Sequence, residues 1–132
     1  MKSNPKIVLD ASALLALLNR EQGQEKVVAV IDRAVINTVN LAEVVTKLAQ
    51  LGMPNSEIEL VLAELNIDTV NFDLSMALAA GNLITQTQKF GLSLGDRACL
   101  AFAELQGYSV MTADRAWAKV QPLLSIKIVF IR

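Results

Sequence analysis

Short β-branched runs and stretches of helical periodicity take turns along this chain, and a sequence patterned that way has few ways to fold. Lys6 to Asp10 is such a run, too brief for a helix, and Ala11 to Asn19 follows with strong helix formers behind Asp10 and Ser12 as cap candidates. Beyond Gly23, Val27, Val28, Val30 and Ile31 recur at helical spacing, and Ala34 to Thr38 reads as a second strand. Asn40 then opens a helix with the stripe Leu41, Val44, Val45, Leu48 and Leu51, stopped by Gly52 and Pro54. Ser56 and Glu59 stand at capping-box spacing before the helix Glu57 to Leu65, and Ile67 to Phe72 alternates as a third strand. Asp73 caps a long helix from Leu74 to about Phe90, and Ser93 to Gln106 forms another that Gly107 ends. Tyr108 to Thr112 is strand four, Asp114 to Val120 a short helix, and Ile126 to Ile131 a fifth strand. The pattern predicts one α/β domain over residues 1–132, built as three layers, α/β/α, around a mainly parallel sheet of about five strands.

In a parallel sheet, right-handed crossovers bring the C-terminal ends of the strands to one edge, where open α/β sheets bind their ligands. Asp10 ends the first strand, Glu43 lies in the first turn of the helix after the second, and Asp114 lies just past the fourth. Asp96 opens the helix before that fourth strand, and it joins the others if the helix N-terminus folds back to the same edge. The expectation is four carboxylates in one crevice.

Composition narrows the chemistry of such a crevice. The 132 residues include no histidine and one cysteine, Cys99. That removes Ser-His-Asp triads, Cys-His nucleophiles, imidazole zinc sites and any intrachain disulfide. Catalysis here must lean on carboxylates. With 12 Lys and Arg against 13 Asp and Glu the formal charge is −1, so attraction for nucleic acid would have to come from a local basic rim. The chain is 53% hydrophobic, yet its longest unbroken apolar run, Ala13 to Leu18, has six residues and is too short to span a membrane. Met1-Lys2-Ser3-Asn4-Pro5 leads into a segment interrupted by Asp10 without a signal-peptide cleavage pattern, which points to a cytoplasmic protein. The apolar surplus points to a buried subunit interface.

Each acid also has a purely structural reading. Asp10 and Asp114 suit helix N-caps. Glu43 follows Asn40 at capping-box spacing and precedes Lys47 by four residues, the favourable ion-pair order. Ser93 and Asp96 share that capping spacing, but Asp96 lies on the helix face of Cys99, Leu100 and Ala103, so its carboxylate is expected to be partly buried and to need a counter-charge. Four carboxylates in one crevice repel unless a cation sits among them. Oxygen donors without soft ligands select Mg²⁺ or Mn²⁺, and such an ion can activate the water that no histidine is present to deprotonate. Ser12 and Thr112, each two residues from an acid, are placed either to hydrogen-bond a carboxylate or the ion's water, or simply to cap. Cys99 reads as a small buried hydrophobe.

Four segments, in order, resemble the PIN-domain ribonucleases, and among them the VapC-type toxins of bacterial type II toxin-antitoxin pairs. They are Ile7-Val8-Leu9-Asp10-Ala11-Ser12-Ala13-Leu14-Leu15, Asn40-Leu41-Ala42-Glu43-Val44, Leu92-Ser93-Leu94-Gly95-Asp96-Arg97-Ala98-Cys99-Leu100-Ala101, and Val110-Met111-Thr112-Ala113-Asp114-Arg115. The resemblance implies that Asp10 and Asp96 ligate the metal directly and that Asp114 and Glu43 complete the acidic site. It implies Mg²⁺- or Mn²⁺-dependent hydrolysis of RNA phosphodiester bonds by in-line attack of water. It further implies a homodimer built on helix faces and a cognate VapB-type antitoxin that wraps the toxin, often with an arginine paired to the carboxylates. Arg20, Lys47, Arg97 and Arg115 are the candidate cations for RNA entry, each also explicable as a solvated side chain.

Two other readings compete. A Mg²⁺-dependent phosphatase or phosphotransferase would place a nucleophilic Asp10 at the same edge. Position 12, however, is serine where haloacid-dehalogenase-like enzymes carry a second aspartate, and no strand-end lysine is evident. Alternatively the acids only cap helices, and the domain is a catalytically silent interaction module.

Overall fold

The computed structural model describes residues 5–132; the reading of a missing leader pattern rests on Met1 to Pro5, of which the first four residues lie outside the described ones. Along the chain run β1 (Ile7–Leu9), α1 (Ala11–Leu18), α2 (Gln24–Val30), β2 (Ala34–Asn37), α3 (Thr38–Gln50) and α4 (Asn55–Leu65). They are followed by β3 (Asp68–Val70), α5 (Leu74–Asn82), α6 (Ile84–Thr87), α7 (Leu94–Gln106), β4 (Ser109–Thr112) and β5 (Ile128–Phe130). The strands form one sheet in the order β3-β2-β1-β4-β5, with every neighbouring pair parallel.

Strand pleating sorts the core into the two sides of that sheet. Ile7 and Leu9 of β1, Ala34 and Ile36 of β2 and Met111 of β4 pack with Ala13 and Leu14 of α1, Val44 and Leu48 of α3, and Ile58 of α4. The alternate residues Val8, Val35 and Val110 pack with Met76 of α5 and with Cys99, Leu100, Phe102 and Ala103 of α7. Helices thus cover both faces, giving the three-layer α/β/α arrangement, and this is why the inner strands β1 and β2 read as apolar runs. From β1 the chain steps to β2 and β3, then returns to place β4 on the other side of β1. Such a reversal opens a crevice at the C-terminal ends of the two strands it separates.

Several boundaries differ from those the sequence suggests. Asn37, the last residue of β2, is the N-cap of α3 in place of Asn40, its Oδ1 accepting from the Val39 and Asn40 N–H groups at 2.9 and 3.1 Å. The β-branched Thr38 and Val39 disguise that first turn as strand. No Ser56–Glu59 capping box forms, because Pro54 takes the N-cap position and Ser56 already lies inside α4; proline has no N–H for the box's return bond. Leu74 to Phe90 is broken into α5, α6 and a 3-10 turn, with the poor helix formers Gly81 and Asn82 at the break. The segment after Asp114 is a 3-10 turn, Arg115–Lys119, and β3 and β5 are shorter than the runs Ile67 to Phe72 and Ile126 to Ile131. Among the described residues no helix is long and apolar enough to cross a membrane.

Candidate functional site

Asp10 leaves the end of β1 and caps α1. It is 6% exposed, and its backbone N–H still pairs with the Met111 carbonyl of β4 at 3.2 Å, so the sheet itself sets its position. Its Oδ1 accepts from the Ala13 N–H at 2.8 Å and from the Ser12 hydroxyl at 2.7 Å, and its Oδ2 accepts from the Thr112 hydroxyl at 2.6 Å. Both hydroxyls accept in return, Ser12 from the Ala113 N–H at 2.9 Å and Thr112 from the Asp114 N–H at 3.0 Å. Ser12 and Thr112 therefore stitch the loop after β1 to the loop after β4 through the carboxylate between them. Burial pushes the Asp10 carboxyl up from 3.8 to about 6; the bonds from Thr112, Ala13 and Ser12 pull it back in part, and the nearby Asp96 adds to the rise.

Asp96 and Asp114 come from helix starts, whereas Glu43 lies in the second turn of α3 and not the first, because that helix begins at Thr38 and not Asn40. Helices that connect parallel strands run against them, so the first turn of α7 lies at the same edge as the end of β1. There Asp96 forms the capping box that its spacing suggests: its N–H donates to Ser93 Oγ at 3.1 Å, and its Oδ2 accepts from the Ser93 N–H at 3.0 Å. It is partly buried, as its helix face requires. Asp114 is exposed, its Oδ1 accepting from the Ala116 N–H at 3.0 Å. Glu43, also exposed, makes neither of its anticipated structural contacts, a capping box to the Asn40 backbone or an ion pair. Asn40 is not a cap, and no ion pair forms with Lys47; instead Asn40 Nδ2 donates to Glu43 Oε1 at 2.8 Å.

Asp10, Glu43, Asp96 and Asp114 line one open cavity of about 220 Å³, together with Ser12, Asn40 and Lys47 and the apolar Ala11 and Leu15. Each acid except Asp10 keeps one carboxylate oxygen that no donor among the described residues claims. As they stand, no three Asp, Glu, Cys or His side chains among the described residues are gathered tightly enough to hold an ion. The donor set nevertheless fits a hard divalent cation, being all oxygen, and an ion arriving there would offset the negative charge of the carboxylates. Cys99 is fully buried behind the site, and burial, with Asp10, Asp96 and Glu43 adding to it, pushes its thiol well up, so it stays protonated.

Of the four candidate cations only Lys47 lines the cavity. Arg97 is partly buried, its Nη1 donating to the Ala80 carbonyl at the end of α5 at 2.8 Å. Arg115 lies over the Phe130 ring and donates to the Arg132 carbonyl, and Arg20 follows the far end of α1 from Asp10. The residues missed from sequence are Asn37, Asn40 and Gly95. An Asn ending a strand before helix formers was a cap signal for the first, and a glycine in a helix's first turn marked the last.

The PIN-domain family matches residues 7–122 of the chain. No curated protein matches the sequence. Solved structures match through their fold. A DNA-bound VapBC from Salmonella typhimurium aligns with TM-score 0.75 at 17% identity, covering 98% of this chain and 100% of that one. A toxin-antitoxin complex from Klebsiella pneumoniae aligns with TM-score 0.71 at 16% identity, covering 96% and 98%. VapBC-5 from Mycobacterium tuberculosis, a member of the VapBC family of toxin-antitoxin systems, aligns with TM-score 0.65 at 23% identity, covering 96% and 99%.

Proposed function

The chain belongs to the PIN-domain family, and from that premise we propose that it is a metal-dependent endoribonuclease, the VapC-type toxin of a toxin-antitoxin pair. The observation that carries the reading is the meeting of Asp10, Glu43, Asp96 and Asp114, from four separate segments, around one cavity at the sheet's switch point. In this reading Asp10 and Asp96 hold Mg²⁺ or Mn²⁺, with Asp114 and Glu43 completing the site. When bound, the ion neutralises the carboxylates and stabilises charge developing on the phosphate oxygens.

The chain's own residues then have distinct tasks. Ser12 and Thr112 keep their protons on Asp10, fixing the direction of its lone pairs. The unclaimed oxygens of Glu43 and Asp114 orient the attacking water and accept its proton. Lys47 supplies the one positive charge of the cavity wall among the described residues for the RNA phosphate. The bonds to Asp10 count against the phosphotransferase reading, since a carboxylate 6% exposed and held by three donors is a poor nucleophile.

The partners follow from the same reading. Leu74, Leu78 and Leu94 are 75%, 60% and 61% exposed, and such side chains suit a homodimer contact and the cover of a VapB-type antitoxin in a cytoplasmic complex. The test is cleavage of a mixed structured RNA pool by purified, partner-free protein in Mn²⁺, Mg²⁺ or EDTA, with Asp96→Asn alongside. Discrete cleavage that needs the ion and vanishes in the variant is expected. No cleavage with either ion would favour the silent module.

A further inference from the structure

Two buried amides stand behind Glu43. Asn37 is fully enclosed and Asn40 is 1% exposed. Asn40 Nδ2 donates to Glu43 Oε1 at 2.8 Å and to the Gly95 carbonyl at 3.0 Å. An ionised carboxylate and a carbonyl can only accept, so the amide faces one way and leaves its Oδ1 for Asn37 Nδ2, at 2.8 Å. Asn37 is oriented in turn by the Val39 and Asn40 N–H groups on its Oδ1. The side-chain amides of Asn37 and Asn40, leading from the β2–α3 junction to Glu43, thus each have a determined orientation.

Gly95 closes the other side. A Cβ there would overlap the Glu43 carboxylate, lying 2.7 Å from Oε1 and 2.6 Å from Cδ. Glycine disfavours a helix, and its φ here is not one that demands glycine. Space for the Glu43 side chain is what its place in α7 supplies. Residue 96, the next along, is one of the aspartates of the same cavity.

We propose that Asn40 and Gly95 are positioning residues for Glu43: Asn40 draws the carboxylate against the first turn of α7, Gly95 leaves the room for it, and together they set Glu43 beside Asp96. The inference rests on the nuclease reading above. Without this latch an exposed glutamate on α3 would spread over its rotamers, and its oxygens would leave the cavity for much of the time.

The test is a double-variant cycle read by Mn²⁺ affinity, followed from the free-ion EPR signal with the full chain as wild type, Gly95→Ala, Glu43→Ala and the pair. Displacing a residue that orients a ligand commonly weakens metal binding by 10–100-fold. Gly95→Ala should weaken it by about tenfold with the circular dichroism spectrum unchanged, because alanine is the better helix former. The pair should bind no more weakly than Glu43→Ala alone, since Gly95 acts only through Glu43. Asn40→Asp, the same shape with a carboxylate turned toward Glu43, should lose affinity as well. Unchanged affinity in Gly95→Ala, or a further loss when it is added to Glu43→Ala, would overturn this inference alone. Failure of the wild-type chain to take up Mn²⁺ would overturn the nuclease reading and the inference with it.

Discussion

Inside the fold the Asp10 carboxyl ionises near pH 6, up from 3.8, because burial strips its water faster than Thr112, Ala13 and Ser12 replace it. The unfolded chain therefore gives up this proton first. Between about pH 4 and pH 6 the folded protein holds a proton that the unfolded chain has lost, so stability falls as pH rises through that window and levels off above it. The loss amounts to about 3 kcal/mol at pH 7, on the order of 10 °C in Tm for a chain of this size. Asp10→Asn removes the titration while keeping an acceptor for the Ala13 N–H. The assay is urea unfolding of wild type and variant in EDTA from pH 4 to 7.5, with one free energy subtracted from the other at each pH. Relative to the variant, wild type should gain about 2.4 kcal/mol on going from pH 7 to pH 4, the rest of the shift lying below pH 4, and saturating Mn²⁺ at pH 7 should restore stability to wild type alone. A difference that stays flat with pH, or one that favours wild type most at pH 7, would refute the argument from burial.

Other substitutions probe the same structure. Thr112→Val removes the hydroxyl that donates to Asp10 and accepts from the Asp114 N–H, and should cost about 1–3 kcal/mol in chemical denaturation; Thr112→Ser should recover most of it. Gly23→Ala puts a Cβ against the Ile131 backbone at a φ of +93° and should lower Tm by several degrees, about 2 kcal/mol or more, whereas Gly52→Ala, where a Cβ meets open space, pays only for its φ of +94°. Asp96→Asn keeps an oxygen for the Ser93 N–H, so in EDTA it should unfold no more easily than wild type while Mn²⁺-dependent RNA cleavage disappears.

How much of this was legible depended on how local each signal was. The strands at β1, β2 and β4 and the caps at Asp10 and Ser93 are written in neighbouring residues, and a parallel sheet carries three of the acids to one edge by topology alone. Asp96 needed the further fact that helices between parallel strands run against them. The start of α3 was misplaced because Thr38 and Val39 look like strand whenever their cap is unseen. Glu43 has the expected partner, Asn40, but through a different group. Its spacing from Asn40 suggested a backbone cap, but the bond that forms runs side chain to side chain, and its counterpart on Gly95 lies 55 residues away in sequence. Arg97 showed a helix-face position but not that α5 would place the Ala80 carbonyl against it. Contacts made only across packed elements leave little trace in local spacing.

The central claim is that Asp10, Glu43, Asp96 and Asp114 form one cation-dependent centre, and anomalous diffraction from crystals soaked in Mn²⁺ tests it most directly. The account predicts a Mn²⁺ peak in the cavity, in contact with Asp10 and Asp96 and absent from crystals of Asp96→Asn. A peak elsewhere on the molecule, or no peak at a concentration that supports cleavage in solution, would contradict it.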